Sequence, residues 1–251
     1  MKTQFGKLVV LGAVLAASST FAMADTITLG SYGSTSGYNP GTITVSNTET
    51  MYVANDLVST VPAIPVVPAL TSITAVNAWD LNPGGVWNNA FSNSSWVGSA
   101  ANAGPVGTSN PQYGYYEYTS TFTAAGGVYT GNLDVYADDT MEVLLNGVVI
   151  IPFGNLGTDT HCADNAPTCL TADNDIFSGG TDITLLSGTN TLEFVVEQAG
   201  TGPQGGTGDP SGFDFAGTLS IAPTPEPNSL VLLGTGLLGA AGMLVRKRQT
   251  A

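Results

Sequence analysis

Apolar and polar residues alternate with a period of two through the middle of the chain, and that alternation predicts strands. The segments Tyr115–Phe122, Asn132–Ala137, Thr140–Leu145, Val148–Ile151, Ile183–Leu186, Thr191–Gln198 and Phe215–Ile221 all read this way. Asn146-Gly147 lies between two apolar segments, and both residues accept the positive φ of a type I′ hairpin turn. Ser187-Gly188-Thr189-Asn190 predicts a second reversal. Phe194 and Val196 alternate with Val195 and Glu197, so that strand is at least half buried. From Asp25 to Leu81 the pattern is weaker. Pro62, Pro65 and Pro68 exclude a central strand there and predict an extended connector or edge piece. Asn82–Pro111 reads as a long loop rich in Gly, Asn and Ser that holds Trp87 and Trp96. No long amphipathic helical period occurs, so the body is expected to be all-β.

The order Tyr116-Glu117-Tyr118-Thr119-Ser120-Thr121-Phe122, Ala137-Asp138-Asp139, Leu145-Asn146-Gly147, Gly188-Thr189-Asn190-Thr191-Leu192-Glu193-Phe194 resembles the galactose-binding-like jelly roll of secreted carbohydrate-binding modules. The resemblance covers roughly 79–221 and implies a β-sandwich. Most of the matched residues are turn and core residues, so fold transfers better than function.

The two ends follow another pattern. Lys2 and Lys7, the apolar run Leu8–Ala17, and Ala22-Met23-Ala24 before Asp25 compose a signal peptide cleaved between Ala24 and Asp25. At the other end Pro225-Glu226-Pro227 precedes an apolar run from Leu230 to Val245 and a basic close, Arg246-Lys247-Arg248. Sixteen helical residues rise about 24 Å, a little short of a hydrocarbon core of roughly 30 Å. The basic triplet favours the cytoplasmic face and leaves the bulk of the chain outside. This tail resembles a PEP-CTERM sorting signal, and the alternative is an ordinary C-terminal membrane anchor. The resemblance implies an exosortase-type processing enzyme as partner, transient anchoring in the inner membrane of a Gram-negative bacterium, and delivery to the cell surface or matrix. The expected organisation is a signal peptide over 1–24, an extracellular β-sandwich over 25–222, and a sorting segment over 223–251 built on a single hydrophobic helix.

Charge narrows the partners. All five Lys and Arg residues lie in the two end segments, so Asp25–Pro225 carries 18 of the 19 acidic residues and no Lys or Arg. Nucleic acid is excluded, because phosphate neutralisation needs cations. Each carboxylate must be solvated, bonded to neutral donors, or bound to a metal ion.

Export favours a disulfide between Cys162 and Cys169, the only cysteines; a metal site with His161 is the alternative. Asp164, Asp173, Asp175 and Asp182 crowd one stretch, as hard oxygen ligands for Ca²⁺ or as a solvated acidic loop. Asp138-Asp139 reads as a turn rather than a chelating pair. Tyr113, Tyr115, Trp87 and Trp96 are candidates for stacking on sugar rings, against core packing as the plainer role. Catalytic motifs are missing: the single His161 sits in the cysteine loop, and Gly33-Ser34-Thr35-Ser36-Gly37 lacks an oxyanion context. The expected function is therefore a non-enzymatic surface protein that binds exopolysaccharide or another glycan. A purely structural matrix protein and a secreted glycan hydrolase are the rivals.

Overall fold

The computed structural model describes residues 25–35, 38, 43, 49–58, 69–85, 87–107, 111–154, 173–174, 183–199, 210–221, 234–239 and 246. By contacts the chain divides into 26–221, which holds every described strand, and a second unit drawn from 1–25 and 222–251. In the second unit, 234–239 form a helical turn. Among the described residues no helix is long and apolar enough to cross a membrane. The remaining positions of the expected sixteen-residue span, and the signal-peptide residues through Ala24, lie outside the described residues.

Among the described residues fourteen strands follow in order: β1 (Thr26–Gly30), β2 (Ser34–Thr35), β3 (Met51–Leu57), β4 (Thr71–Asn77), β5 (Trp79–Leu81), β6 (Trp96–Gly98) and β7 (Gly114–Ala124) come first. Then come β8 (Gly127–Asp138), β9 (Thr140–Leu145), β10 (Val148–Ile151), β11 (Asp173–Asn174), β12 (Ile183–Leu185), β13 (Gly188–Gln198) and β14 (Gly212–Ser220). They build a two-sheet sandwich. One sheet runs β10-β9-β13-β7-β3-β4. The larger runs β11-β8-β14-β6-β5-β2, with β1 also on β14 and β12 also on β8. Pairing is antiparallel except between β2 and β5.

The alternation read from sequence sets which face is core. Leu133, Val135 and Ala137 of β8 and Phe213 and Phe215 of β14 point inward from the larger sheet. Tyr118, Met141, Val143, Leu192, Phe194 and Val196 meet them from the smaller one. Phe194 lies between the sheets, its ring centroid 4.9 Å from Phe213 and 4.4 Å from Phe215. Such aromatic pairs add about 0.5–1.5 kcal/mol each beyond the area they bury.

The structure changes the sequence expectation in four places. Trp96 is in β6 rather than in a loop. The first third of the chain holds five strands, with β4 a mostly exposed edge strand; Pro62–Pro68 lie outside the described residues. The reversal before β13 falls at Leu186-Ser187, and it carries the chain from β12 on β8 to β13 in the other sheet instead of closing a hairpin. The outer face of β13 is covered as well, with Val195 4% and Glu197 0% exposed. The segment after β10 lies over it: Phe153 meets the Tyr115 ring edge-on, and Gly154 N donates to Thr140 Oγ1.

Asn146-Gly147 does form the β9–β10 turn, with φ of 51° and 76°. Asn190, fully buried, ties this turn to the 186–188 reversal. Its Oδ1 accepts from Leu186 N at 2.8 Å and Asn146 Nδ2 at 2.9 Å; its Nδ2 donates to Leu186 O at 3.0 Å. Removing that side chain orphans buried polar groups, at about 1–3 kcal/mol each. Asn190→Ala is expected to lower the urea unfolding free energy by about 2–3 kcal/mol, against less than about 0.5 for the exposed neighbour Thr189→Ala. Equal effects of the two substitutions would show that Asn190 does not clamp the turns.

Candidate functional site

Buried carboxylates accept from neutral groups throughout the sandwich. Asp214, 0% exposed, takes Ser31 Oγ at 2.8 Å and Phe91 N at 3.0 Å. Asp80 accepts from Gly33 N at 2.9 Å and from Ser95 Oγ. Asp138 accepts from Trp87 Nε1 at 2.8 Å, Asp139 from Ala199 N at 2.6 Å, and Glu197 from Tyr115 Oη at 3.1 Å. Asp138 closes β8 in the larger sheet and β9 opens in the smaller, so the expected Asp138-Asp139 turn is the corner between sheets; the peptide joining the two residues is cis. Ser211 Oγ braces it through Asp138 O.

Desolvation without a Lys or Arg partner moves these groups one way. Burial pushes Glu197 up to about 7, with Asp139 adding repulsion and the Tyr115 hydroxyl opposing. Burial pushes Asp214 up to about 6 against its hydrogen bonds. Asp80, Asp134, Glu142 and Glu117 are raised by burial as well. Among the described residues Glu197 Oε2 and Glu142 Oε1 find no hydrogen-bond partner.

The predicted aromatics do not form an open platform. Trp87 and Trp96 are 2% and 0% exposed and stack on each other at 4.3 Å, within a second apolar cluster with Leu81, Ala103 and Tyr136. Tyr136 is on the face of β8 opposite the main core, so this cluster forms an outer layer on the larger sheet. Tyr115 is 3% exposed beneath Phe153, and Tyr113 is half-buried. Sequence composition counts aromatics but does not tell a ring under a loop from a ring on a surface.

The stack does reach the surface, at a residue that sequence reading passed over. From Trp96 it continues to Tyr136 at 5.7 Å and from Tyr136 to half-buried Phe91 at 4.6 Å, with ring planes 6° apart. Asp214 holds the backbone of Phe91 in place. Beside Phe91 a groove of about 210 Å³ opens on the outer face of the larger sheet. Its floor is three neighbouring strands in register. Thr28 of β1 and Asn132 of β8 both pair with Thr218 of β14, and Asp134 pairs with Ala216. Phe91, Ser92 and Asn93 form the wall. Asn132 Nδ2 donates to Asp134 Oδ2 at 2.7 Å, which orients the carboxylate. A half-exposed ring beside hydroxyls, amides and one carboxylate can take a ligand with an apolar face and several polar substituents.

Cys162, Cys169, Asp164, Asp175 and Asp182 lie outside the described residues, as do Pro225, Glu226, Pro227, Lys247 and Arg248. Asp173 is placed by its backbone alone, opposite Val135 of β8. Among the described residues no three His, Cys, Asp or Glu side chains gather as metal ligands.

Comparison with known proteins decides the nature of the tail: residues 223–248 match the PEP-CTERM protein-sorting motif. This chain carries a PEP-CTERM sorting signal. The motif marks it for export and sorting to the cell surface. No curated protein matches the chain. The body is similar in part to a Kluyveromyces marxianus β-glucosidase solved with glucose, at 15% identity and a TM-score of 0.34, over 69% of this chain and 16% of that one. A selenomethionine-labelled form of that enzyme gives 13% and 0.30, over 77% and 18%. A family 35 carbohydrate-binding module from an environmental isolate gives 14% and 0.26, over 57% and 88%. The PEP-CTERM chain thus spans less than a fifth of the glucosidase it is compared with.

The carboxyl shifts predict a pH dependence. A group whose folded pKa is raised binds more protons folded than unfolded between its two values, so stability falls as pH rises through that window. For Glu197 the window runs from 4.5 to about 7, and for Asp214 from 3.8 to about 6. The urea midpoint of the exported chain is expected to fall from pH 5 to pH 8. Glu197→Gln should flatten the fall by raising the midpoint at pH 8 and leaving it nearly unchanged at pH 5. A midpoint that climbs with pH, or a variant parallel to the parent, would refute the assignment.

Proposed function

We propose that this exported chain works as a non-enzymatic glycan-binding protein of the cell surface or matrix, on a galactose-binding-like sandwich, with exopolysaccharide as its target. The observation that supports binding is the groove: an open cleft with a ring at its wall and polar side chains on its floor. The hydrolase reading needs two carboxylates facing one substrate about 5–10 Å apart. Among the described residues Asp134 is the one carboxylate that lines the groove, while Glu197 and Asp139 are enclosed by protein. The tail supplies transient attachment to the inner membrane of a Gram-negative cell, and an exosortase-type enzyme releases the chain. The Cys162–Cys169 disulfide and a Ca²⁺ site at Asp164, Asp173, Asp175 and Asp182 belong to the same proposal, resting on export and on the density of oxygen ligands.

Affinity electrophoresis of the exported chain through gels containing the producing cell's exopolysaccharide tests binding. Retardation is expected, and Ala216→Gln, which fills the groove floor, should abolish it. Unretarded migration of the parent chain would leave the structural-matrix reading. Mass spectrometry of surface-released protein tests processing: the N-terminus should be Asp25, with no peptide from Leu230–Val245. Intact Arg246 in that material would refute release.

A further inference from the structure

Resting on the glycan-binding reading, we infer that the groove between Phe91 and β8 is a subsite for a protonated amino sugar, a glycosaminyl unit with a free ammonium group. Three observations converge. First, 26–221 contains no Lys or Arg, so the groove offers a uronate or sulfate no positive partner and surrounds it with negative charge. Second, Asp134 is half-buried in the groove with one oxygen engaged by Asn132 Nδ2, which leaves its second oxygen as an acceptor for an N⁺–H donor. Charge-assisted bonds of that kind are about twice as strong as neutral ones. Third, the Phe91 ring is fixed on its far side by Tyr136, so its open side accepts the C–H face of a pyranose or the ammonium itself.

The floor limits the size. Ala216 and Gly217 project little, while Thr28 and Thr218, paired with each other across β1 and β14, stand next to them as hydroxyl partners. A volume of about 210 Å³ suits one ring of a longer chain. An N-acetyl group exchanges the ammonium for a bulkier neutral amide, so it loses the bond to Asp134.

Calorimetric titration of the full exported chain at pH 6 with three tetrasaccharides tests the inference: glucosamine, N-acetylglucosamine and galacturonic acid oligomers. The glucosamine oligomer is expected to bind about tenfold or more tighter than its N-acetyl form, in line with a hydrogen bond to a charged group. The galacturonate should show no binding. Asp134→Asn should erase the preference for the amine. Asp56→Asn, which removes the same charge from β3 in the smaller sheet, should leave it intact. Phe91→Ala should weaken both amino-sugar ligands. Equal losses from the two Asp variants, or galacturonate binding as tight as glucosamine, would overturn the amino-sugar assignment. N-acetyl binding that depends on Phe91 but shows no amine preference would overturn this inference alone. Binding of none of the three would overturn it too, and retardation by the native exopolysaccharide would then keep the broader reading alive.

Discussion

A sandwich without a single Lys or Arg between 26 and 221 holds its buried Asp80, Asp138, Asp139, Glu197 and Asp214 through neutral donors. That constraint organises the structure. Ser31, Ser95, Trp87, Tyr115 and the amides of Gly33, Phe91 and Ala199 each donate to a buried acid. Most of these bonds join segments distant in sequence. Asp214 links β14 to the 91–95 segment, Asp138 links the inter-sheet corner to Trp87, and Asp139 and Glu197 link β9, β13 and β7. The acids act as acceptors that pin loops to sheets. The cost is desolvation, visible as the common upward shift of their pKa values.

The pinning also makes the groove. Asp214 draws the Phe91 backbone onto the larger sheet, the Trp87–Trp96–Tyr136 stack fills the space behind it, and Phe91 ends that stack at the surface. The wall of the groove is thus one end of a packed layer, set against three strands in register. The absence of Lys and Arg that shapes the interior also leaves the lining of the groove without a cationic side chain. The PEP-CTERM tail marks such a body for export and sorting to the cell surface.

Much of the sandwich was legible because its strands alternate. From Gly114 onward each candidate segment is a strand, since Phe194, Val143 and Val135 each face the core while their neighbours Val195, Glu142 and Tyr136 lie on the opposite face of their sheets. The first third resisted reading for physical reasons. A bulge between Tyr52 and Ala54 breaks the phase of β3, β4 is exposed at nearly every position, and β5 and β6 are three residues each. The groove was invisible in sequence because Thr28, Phe91, Asp134 and Thr218 come from four separate segments and only register brings them together. The Trp pair was noticed for its chemistry, but its burial depends on how the 82–111 region folds back on the sheet.

The claim that neutral donors alone hold the buried acids is tested most directly by carbon-13 NMR titration of the side-chain carboxyls of the exported chain. The account predicts that Glu197 titrates near pH 7 and Asp214 near pH 6, both above the ordinary carboxyl range. Titration of both groups below pH 4.5 in the folded protein would contradict it, because it would require a cation or a depth of solvation that the sandwich does not provide.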